Sequence, residues 1–372
     1  MDKPIVTIAG CSKYHEEELN TAVKKILEPF GGIRSIVAPG KKVLLKPNLL
    51  AAATVSEAVT THPMLIKVLT DLINTAGGQV FVGDSPGNDK QAEALKSSGI
   101  QQVIDETEAD VLPFKEISYK KVNGFKERSI PLAAELDEID LIFNVAKLKT
   151  HALTGLTGAV KNVYGCIPGN FKKRYHLEHP LPLDFSRLLI DIYLAVKPAF
   201  SIIDAVIGME GPGPRKGKPK QIGLLMASPN GIALDSVAAE ITGFKPEQVT
   251  TIAAARELKL SGSNLADIEI RGLSLEQSRV KDFDRGPAGS GKVSRMIASF
   301  PISYIRNMLY ARRPYPVVFS GECTSCGICA EVCPAQVIEL KLGIPDIDQY
   351  ECIRCYCCQE HCAQGAIKVN GK

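Results

Sequence analysis

The chain has 372 residues, enough for two or more domains with a sizeable core, and its 45% hydrophobic and 23% charged content is that of an ordinary globular protein. A formal net charge of +3 excludes a global polyanion-binding surface, so any basic site must be local. No run of 18 apolar residues occurs, no charged-then-apolar leader precedes the first strand, and nine of the 11 cysteines fall in the last fifty residues. A membrane span and a disulfide scaffold are therefore not expected, and the expectation is a cytoplasmic protein in a reducing, low-oxygen setting.

In chain order, 4–9 reads as a buried strand closing at Gly10, and a polar helix follows over about 15–29. A second short strand, 42–46, runs into Lys46-Pro47-Asn48. Thr61-His62-Pro63 opens a helix to about residue 76, because threonine before and proline at the first turn are start signals, and Gly77-Gly78 ends it. The strand 79–82 runs into Gly83-Asp84-Ser85-Pro86, with a helix at about 90–98 and a β excursion over 108–131. The strand 139–145 leads into Lys147-Leu148-Lys149-Thr150-His151, and a helix of small residues is predicted over about 153–163. Then come a helix at 183–196, a strand from Phe200 that ends near Asp204, a flexible basic loop at 211–220, a strand at 222–226 and a helix at 231–242.

Strands alternating with helices predict an α/β fold: a mostly parallel sheet with helices on both faces, occupying 1–272. Residues 273–315 read as a linker, with a glycine-rich hinge at 286–291 and a mildly basic amphipathic helix at 293–310, interrupted by Pro301, that bridges to the C-terminal domain rather than lying on a membrane.

Ligands of open parallel sheets bind beyond the carboxyl ends of the strands, and the polar residues gather there. Lys46 and Asn48 follow one strand, Asp84 the next, and Lys147, Lys149 and His151 another. The segment 147–176 holds Lys147, Lys149, Lys161, Lys172, Lys173 and Arg174 but no Asp or Glu, which points to a small anionic ligand, aided by a helix N-terminus near Thr154. The candidate substrate ligands are Lys46, Asn48, Lys147, Lys149 and Asn162; the candidate catalytic groups are His151, Asp84 and Lys161. Against this stand plainer readings: solvated strand-end lysines, Asp84 as a turn residue, and Lys172-Lys173-Arg174 as a surface run. Dinucleotide and Walker loops are missing, which argues against nicotinamide and NTP sites and leaves flavin open. Basic residues without interleaved aromatics argue against nucleic acid.

The last stretch carries the strongest signal. Cys323-x2-Cys326-x2-Cys329-x3-Cys333 is repeated 29 residues later as Cys352-x2-Cys355-x2-Cys358-x3-Cys362, and Pro316/Pro345, Glu322/Glu351 and Ile338/Ile367 keep the same offset. Structural zinc takes four ligands per site, whereas two runs of three plus one suit [4Fe–4S] cubes. Residues 316–372 resemble bacterial-type 2[4Fe–4S] ferredoxins. That resemblance implies two clusters with crossed fourth ligands: Cys323, Cys326, Cys329 and Cys362 on one, Cys352, Cys355, Cys358 and Cys333 on the other. Two departures stand out, Ala363 in place of the usual proline and an extra thiol, Cys357, read as a bystander. Cys11 and Cys166 are expected to be unligated.

Leu45-Lys46-Pro47-Asn48, Thr61-His62-Pro63, Gly83-Asp84-Ser85-Pro86, Lys147-Leu148-Lys149-Thr150-His151 and Gly158-Ala159-Val160-Lys161-Asn162 together resemble domain-of-unknown-function family 362 over 1–272. The resemblance implies a cytoplasmic iron–sulfur protein and no general reaction. The combined expectation is a ferredoxin-linked oxidoreductase that acts on a small anion and is served by a redox partner protein. The alternatives are a non-catalytic electron carrier whose large domain docks a partner, and a redox-neutral enzyme with structural clusters.

Overall fold

The computed structural model describes residues 3–286 and 313–370. The hinge from residue 287 onward and the amphipathic helix expected at 293–310 lie outside the described residues.

The large domain is built on a nine-stranded sheet. Its strands are β1 (Ile5–Gly10), β2 (Lys42–Lys46), β3 (Gln79–Val82), β4 (Ala109–Val111), β7 (Leu141–His151), β8 (Gly155–Thr157), β9 (Phe200–Glu210), β10 (Lys218–Ser228) and β11 (Glu269–Gly272). The intervening β5 (Ile117–Lys121) and β6 (Ser129–Ala133) form a separate hairpin. The order is β11-β1-β10-β9-β7-β2-β3-β4, with β8 folded back on β7. Only β10 and β8 run antiparallel to their neighbours.

Alternation along the strands separates two apolar layers. Val43, Leu45, Phe143, Val145 and Ile202 face the helices Glu16–Leu27 and Pro63–Thr75. On the other face Leu44 and Ile142 pack toward the helix Pro182–Val196, while Ala146, Leu148 and Ile203 pack toward Gly231–Ile241. The expected α/β architecture with helices on both faces is what forms.

The chain steps outward from β2 through β3 to β4, then returns to place β7 on the other side of β2. The strand order therefore reverses between β2 and β7, and a crevice opens beyond their carboxyl ends, the usual ligand position in such sheets. Lys46 and Asn144 are register partners there.

Three local expectations are corrected. The helix predicted over 153–163 is instead a tight β7–β8 hairpin followed by one helical turn, Ala159–Asn162. Gly155 makes the turn at φ 83°, where a Cβ would lie 2.1 Å from the Gln248 carbonyl oxygen. No helix begins at Thr154, and the amides of Ala159 and Val160 donate to the Asp235 carboxyl oxygens at 2.6 and 3.0 Å, so those amides already have their acceptors. Lys172-Lys173-Arg174, whose plainer reading is a surface run, lie in a helix, Phe171–Glu178, and β10 starts at Lys218 inside the stretch expected to be loop.

The C-terminal module repeats itself in structure as well as sequence. β12 (Tyr315–Val318) and β13 (Ile338–Lys341) are followed 29 residues later by β14 (Ile344–Ile347) and β15 (Ile367–Asn370). β12 pairs with β15 and β13 with β14, so each half completes the other. Left-handed residues keep the same register: Ser325 with Arg354, Gly327 with Tyr356, Gln336 with Gly365.

Candidate functional site

A cavity of about 90 Å³ lies at the β2–β7 switch point, large enough for a small organic anion. Its floor comes from the large domain: Asn48, Asp84, Lys149, His151, Thr157, Lys161 and Asn162. Its roof comes from the cysteine module: Val332, Cys357, Glu360 and His361. The two parts fit closely, because a Cβ on Gly87 would come within 2.3 Å of His361 Nε2. Gln359 donates to the Pro212 carbonyl at 3.2 Å, and Lys173 to that of Glu331 at 3.2 Å.

The eight residues proposed from sequence divide into three groups. Lys46 is fully buried and its ammonium pairs with Asp84 at 2.7 Å. The other Asp84 oxygen accepts the Leu49 amide at 2.8 Å. Gly165 permits this packing, since a Cβ there would lie 1.8 Å from Asp84 Oδ1. Lys147 points away from the cavity and pairs with Asp204 at 3.0 Å and the Tyr14 hydroxyl at 2.8 Å. Both lysines are therefore consumed by internal acids. Lys149, Asn48 and Asn162 form a second group: the Lys149 ammonium donates to Asn48 Oδ1 at 2.7 Å and to the Val59 carbonyl at 2.8 Å. Asn48 donates to Asn162 at 2.9 Å, and Asn162 to Asn144 at 2.8 Å. Burial pushes the Lys149 pKa down to about 7, with help from Lys161.

The third group faces the cavity with capacity to spare. Lys161 is half-buried, its ammonium 5.5 Å from the Tyr164 ring centre, and it has no hydrogen-bond or ion-pair partner among the described residues. His151 is 1% exposed. Its Nδ1 accepts the Leu153 amide at 3.1 Å and lies 3.4 Å from that of Thr154, which leaves the proton on Nε2. That atom sits 3.0 Å from Glu360 Oε1, close enough for an ion pair. Thr157 Oγ1 and His361 Nε2 also lack partners among the described residues. Burial lowers the His151 pKa against the opposing pull of Glu360. Burial alone would raise Glu360, but His151, Lys161 and His176 outweigh it and hold the carboxyl well below its usual range.

Sequence reasoning missed Glu360, His361, Thr157 and the placement of Cys357. The expected all-basic pocket gains an acid from the other module. The extra thiol was the one available signal: Cys357 lines the cavity, while its neighbour Cys358 turns the other way. Of the six clustered cations, Lys149, Lys161, Lys172 and Lys173 line the cavity; Lys147 does not, and Arg174 pairs with Glu178 on the surface. Lys172 is held by the Ser85 and Pro86 carbonyls, the latter at 3.0 Å. Cys11 and Cys166 are buried, and burial pushes their thiols up to about 11 and about 12.

A second, smaller cavity is lined by Cys333, Cys352, Cys355 and Cys358, with Ile338, Ile347 and Pro316 around it. Four thiols drawn from both combs around one apolar hollow fit a [4Fe–4S] cube. Cys362 lies by Cys326 and Cys329: burial and then these neighbouring thiols raise the Cys329 pKa.

A family model described as "Domain of unknown function (DUF362)" matches residues 43–240, and a 4Fe-4S dicluster domain model matches 316–363. The chain belongs to the DUF362 family. It carries a 4Fe-4S ferredoxin-like domain at its C-terminal end. A thylakoid-associated protein of Synechocystis sp. is 32% identical over 257 residues, 69% of this chain and 80% of that protein. An uncharacterized ferredoxin of Methanocaldococcus jannaschii is 38% identical over 55 residues, 15% of this chain and 36% of that protein. The lactate racemase apoprotein of Thermoanaerobacterium thermosaccharolyticum superposes with a TM-score of 0.44 at 12% identity, covering 65% of this chain and 57% of that one. Among the described residues no helix is long and apolar enough to cross a membrane.

Proposed function

We propose that this DUF362 protein is a ferredoxin-linked oxidoreductase that exchanges electrons with a small anion held in the interdomain cavity. One observation carries the reading: the helix Cys357–His361 contains the cluster ligand Cys358 and also forms the cavity roof through Cys357, Glu360 and His361. Two [4Fe–4S] clusters, held by Cys323, Cys326, Cys329 and Cys362 and by Cys352, Cys355, Cys358 and Cys333, supply one-electron transfer when bound. No flavin is needed in this scheme.

Lys161 holds the anion, with Lys149 fixed behind it by Asn48 and Asn162. His151 presents its Nε2 proton to the bound molecule and is kept in that tautomer by the Leu153 amide. Lys46–Asp84 and Lys147–Asp204 hold the strand ends in place. In the module Cys326 is exposed, and Leu340 and Leu342 are 44% and 104% exposed. A Cβ on Gly327, next to Cys326, would lie 3.6 Å from Leu340 Cδ1, and this exposed apolar surface suits a redox partner protein.

The test is anaerobic: reduced protein is mixed with small anions and the loss of reduced-cluster absorbance and EPR signal is followed. An oxidising anion should restore the oxidised spectrum, and Lys161→Met should slow this by about ten- to a hundredfold, the loss of one charge-assisted contact. Protein that no anion oxidises, but that passes electrons to a protein acceptor, favours the non-catalytic carrier; the exposed Cys326 face is the observation behind that alternative.

A further inference from the structure

The cavity is dipolar rather than simply basic, and this narrows what it can bind. Lys161 lines it with an ammonium that has no hydrogen-bond or ion-pair partner among the described residues. Burial lowers the Lys161 pKa, and Glu360 opposes that shift. Glu360, 6% exposed, lines the same cavity, with Oε1 3.0 Å from His151 Nε2. Thr157, 4% exposed, lines it too, and its hydroxyl has no partner among the described residues. Buried polar atoms are almost always satisfied, so the unpartnered Thr157 Oγ1 and His361 Nε2 in the lining of one hollow mark groups that a ligand completes. A plain carboxylate would satisfy Lys161 and leave Glu360 facing a like charge. A ligand with both an anionic group and a hydrogen-bond donor answers both charges.

We infer that the cavity binds a small carboxylate carrying a hydroxyl or ammonium donor, the carboxylate on Lys161 and the donor on Glu360, with Thr157 and His151 Nε2 completing the shell. The inference rests on the cavity being the substrate site, as proposed above, and not on electron transfer through it.

The experiment is anaerobic isothermal titration of the full-length, cluster-loaded protein with acetate, glycolate and glycine, and with propionate, 3-hydroxypropionate and β-alanine. At least one donor-bearing acid should bind at least about tenfold tighter than its unsubstituted parent, the effect of one buried hydrogen bond to a charged group. The hydroxyl and ammonium arms show which donor is preferred. Lys161→Met should weaken all the acids that bind. Glu360→Gln, which keeps the shape of the side chain, should erase the preference while leaving acetate and propionate as tight as before or tighter. Iron content and circular dichroism of each variant check that it has folded. Equal affinity of substituted and plain acids overturns the inference, as does a preference that survives Glu360→Gln or an absence of binding by all six. Failure of the electron-transfer proposal is separate: donor-bearing acids would then bind with the stated preference and leave the reduced protein reduced.

Discussion

Replacing Lys46 by Met should destabilise the large domain rather than simply remove a substrate contact. The Lys46 ammonium and Asp84 carboxylate are 2.7 Å apart with side chains 0% and 4% exposed. At an effective dielectric near 20 their attraction is about 6 kcal/mol, and the desolvation of both ions offsets much of it. Removing one partner leaves the other charge buried and uncompensated, which costs about 3–5 kcal/mol. In a domain of this size that lowers the melting temperature by roughly 6–20 °C. Asp84 also accepts the Leu49 amide, so hydrogen exchange at Leu49 should accelerate in parallel. The double variant Lys46→Met/Asp84→Leu removes both charges and should recover much of the loss. Differential scanning calorimetry on iron-loaded protein, with exchange mass spectrometry over residues 43–50, reads both effects. A Lys46→Met variant with unchanged melting and exchange, but without anion binding, would refute this reasoning and make Lys46 a direct ligand.

Other expectations follow from the same geometry. Gly165→Ala drives a methyl into Asp84 Oδ1, 1.8 Å away in the present packing, and should destabilise by about 1–3 kcal/mol; unchanged denaturation would show that the 163–166 turn yields freely. Anion affinity should be flat below about pH 7 and fall as pH rises further, because the anion needs Lys149 protonated and burial sets its free pKa at about 7. Lys161 and Lys147 push that value down while Glu360 and Asp84 push it up, and calorimetry should show proton uptake on binding above pH 7. Cys357→Ala should retain its full iron, whereas Cys358→Ala should lose up to half; iron loss in Cys357→Ala would mean that the extra thiol is a ligand.

The strand ends and cysteine combs were legible because each is a local pattern: apolar runs that lead into Lys46, Asp84 or Lys147, and thiols at fixed spacing. Which lysines were free was not legible. Lys46, Lys147 and Lys149 look alike along the chain, and only the fold brings Asp84 and Asp204 to the first two. Glu360 and His361 read as filler between ligands, since their role depends on how two modules dock. The helix predicted from the small residues of 153–163 failed because Gly155 takes a left-handed turn, and β7 can then pair with β8. The helix Phe171–Glu178 escaped notice because charged residues dominate it and it buries only Tyr175 and His176.

The most direct test of a cavity joined to the clusters is EPR of the dithionite-reduced, anaerobically purified protein with and without a saturating, non-oxidising cavity ligand. The account predicts about eight irons per chain, two interacting reduced-cluster signals, and a ligand-induced change in their g-values or line shape that Lys161→Met abolishes. A spectrum indifferent to a ligand that calorimetry shows to be bound, or a chain holding four irons or zinc, would contradict it.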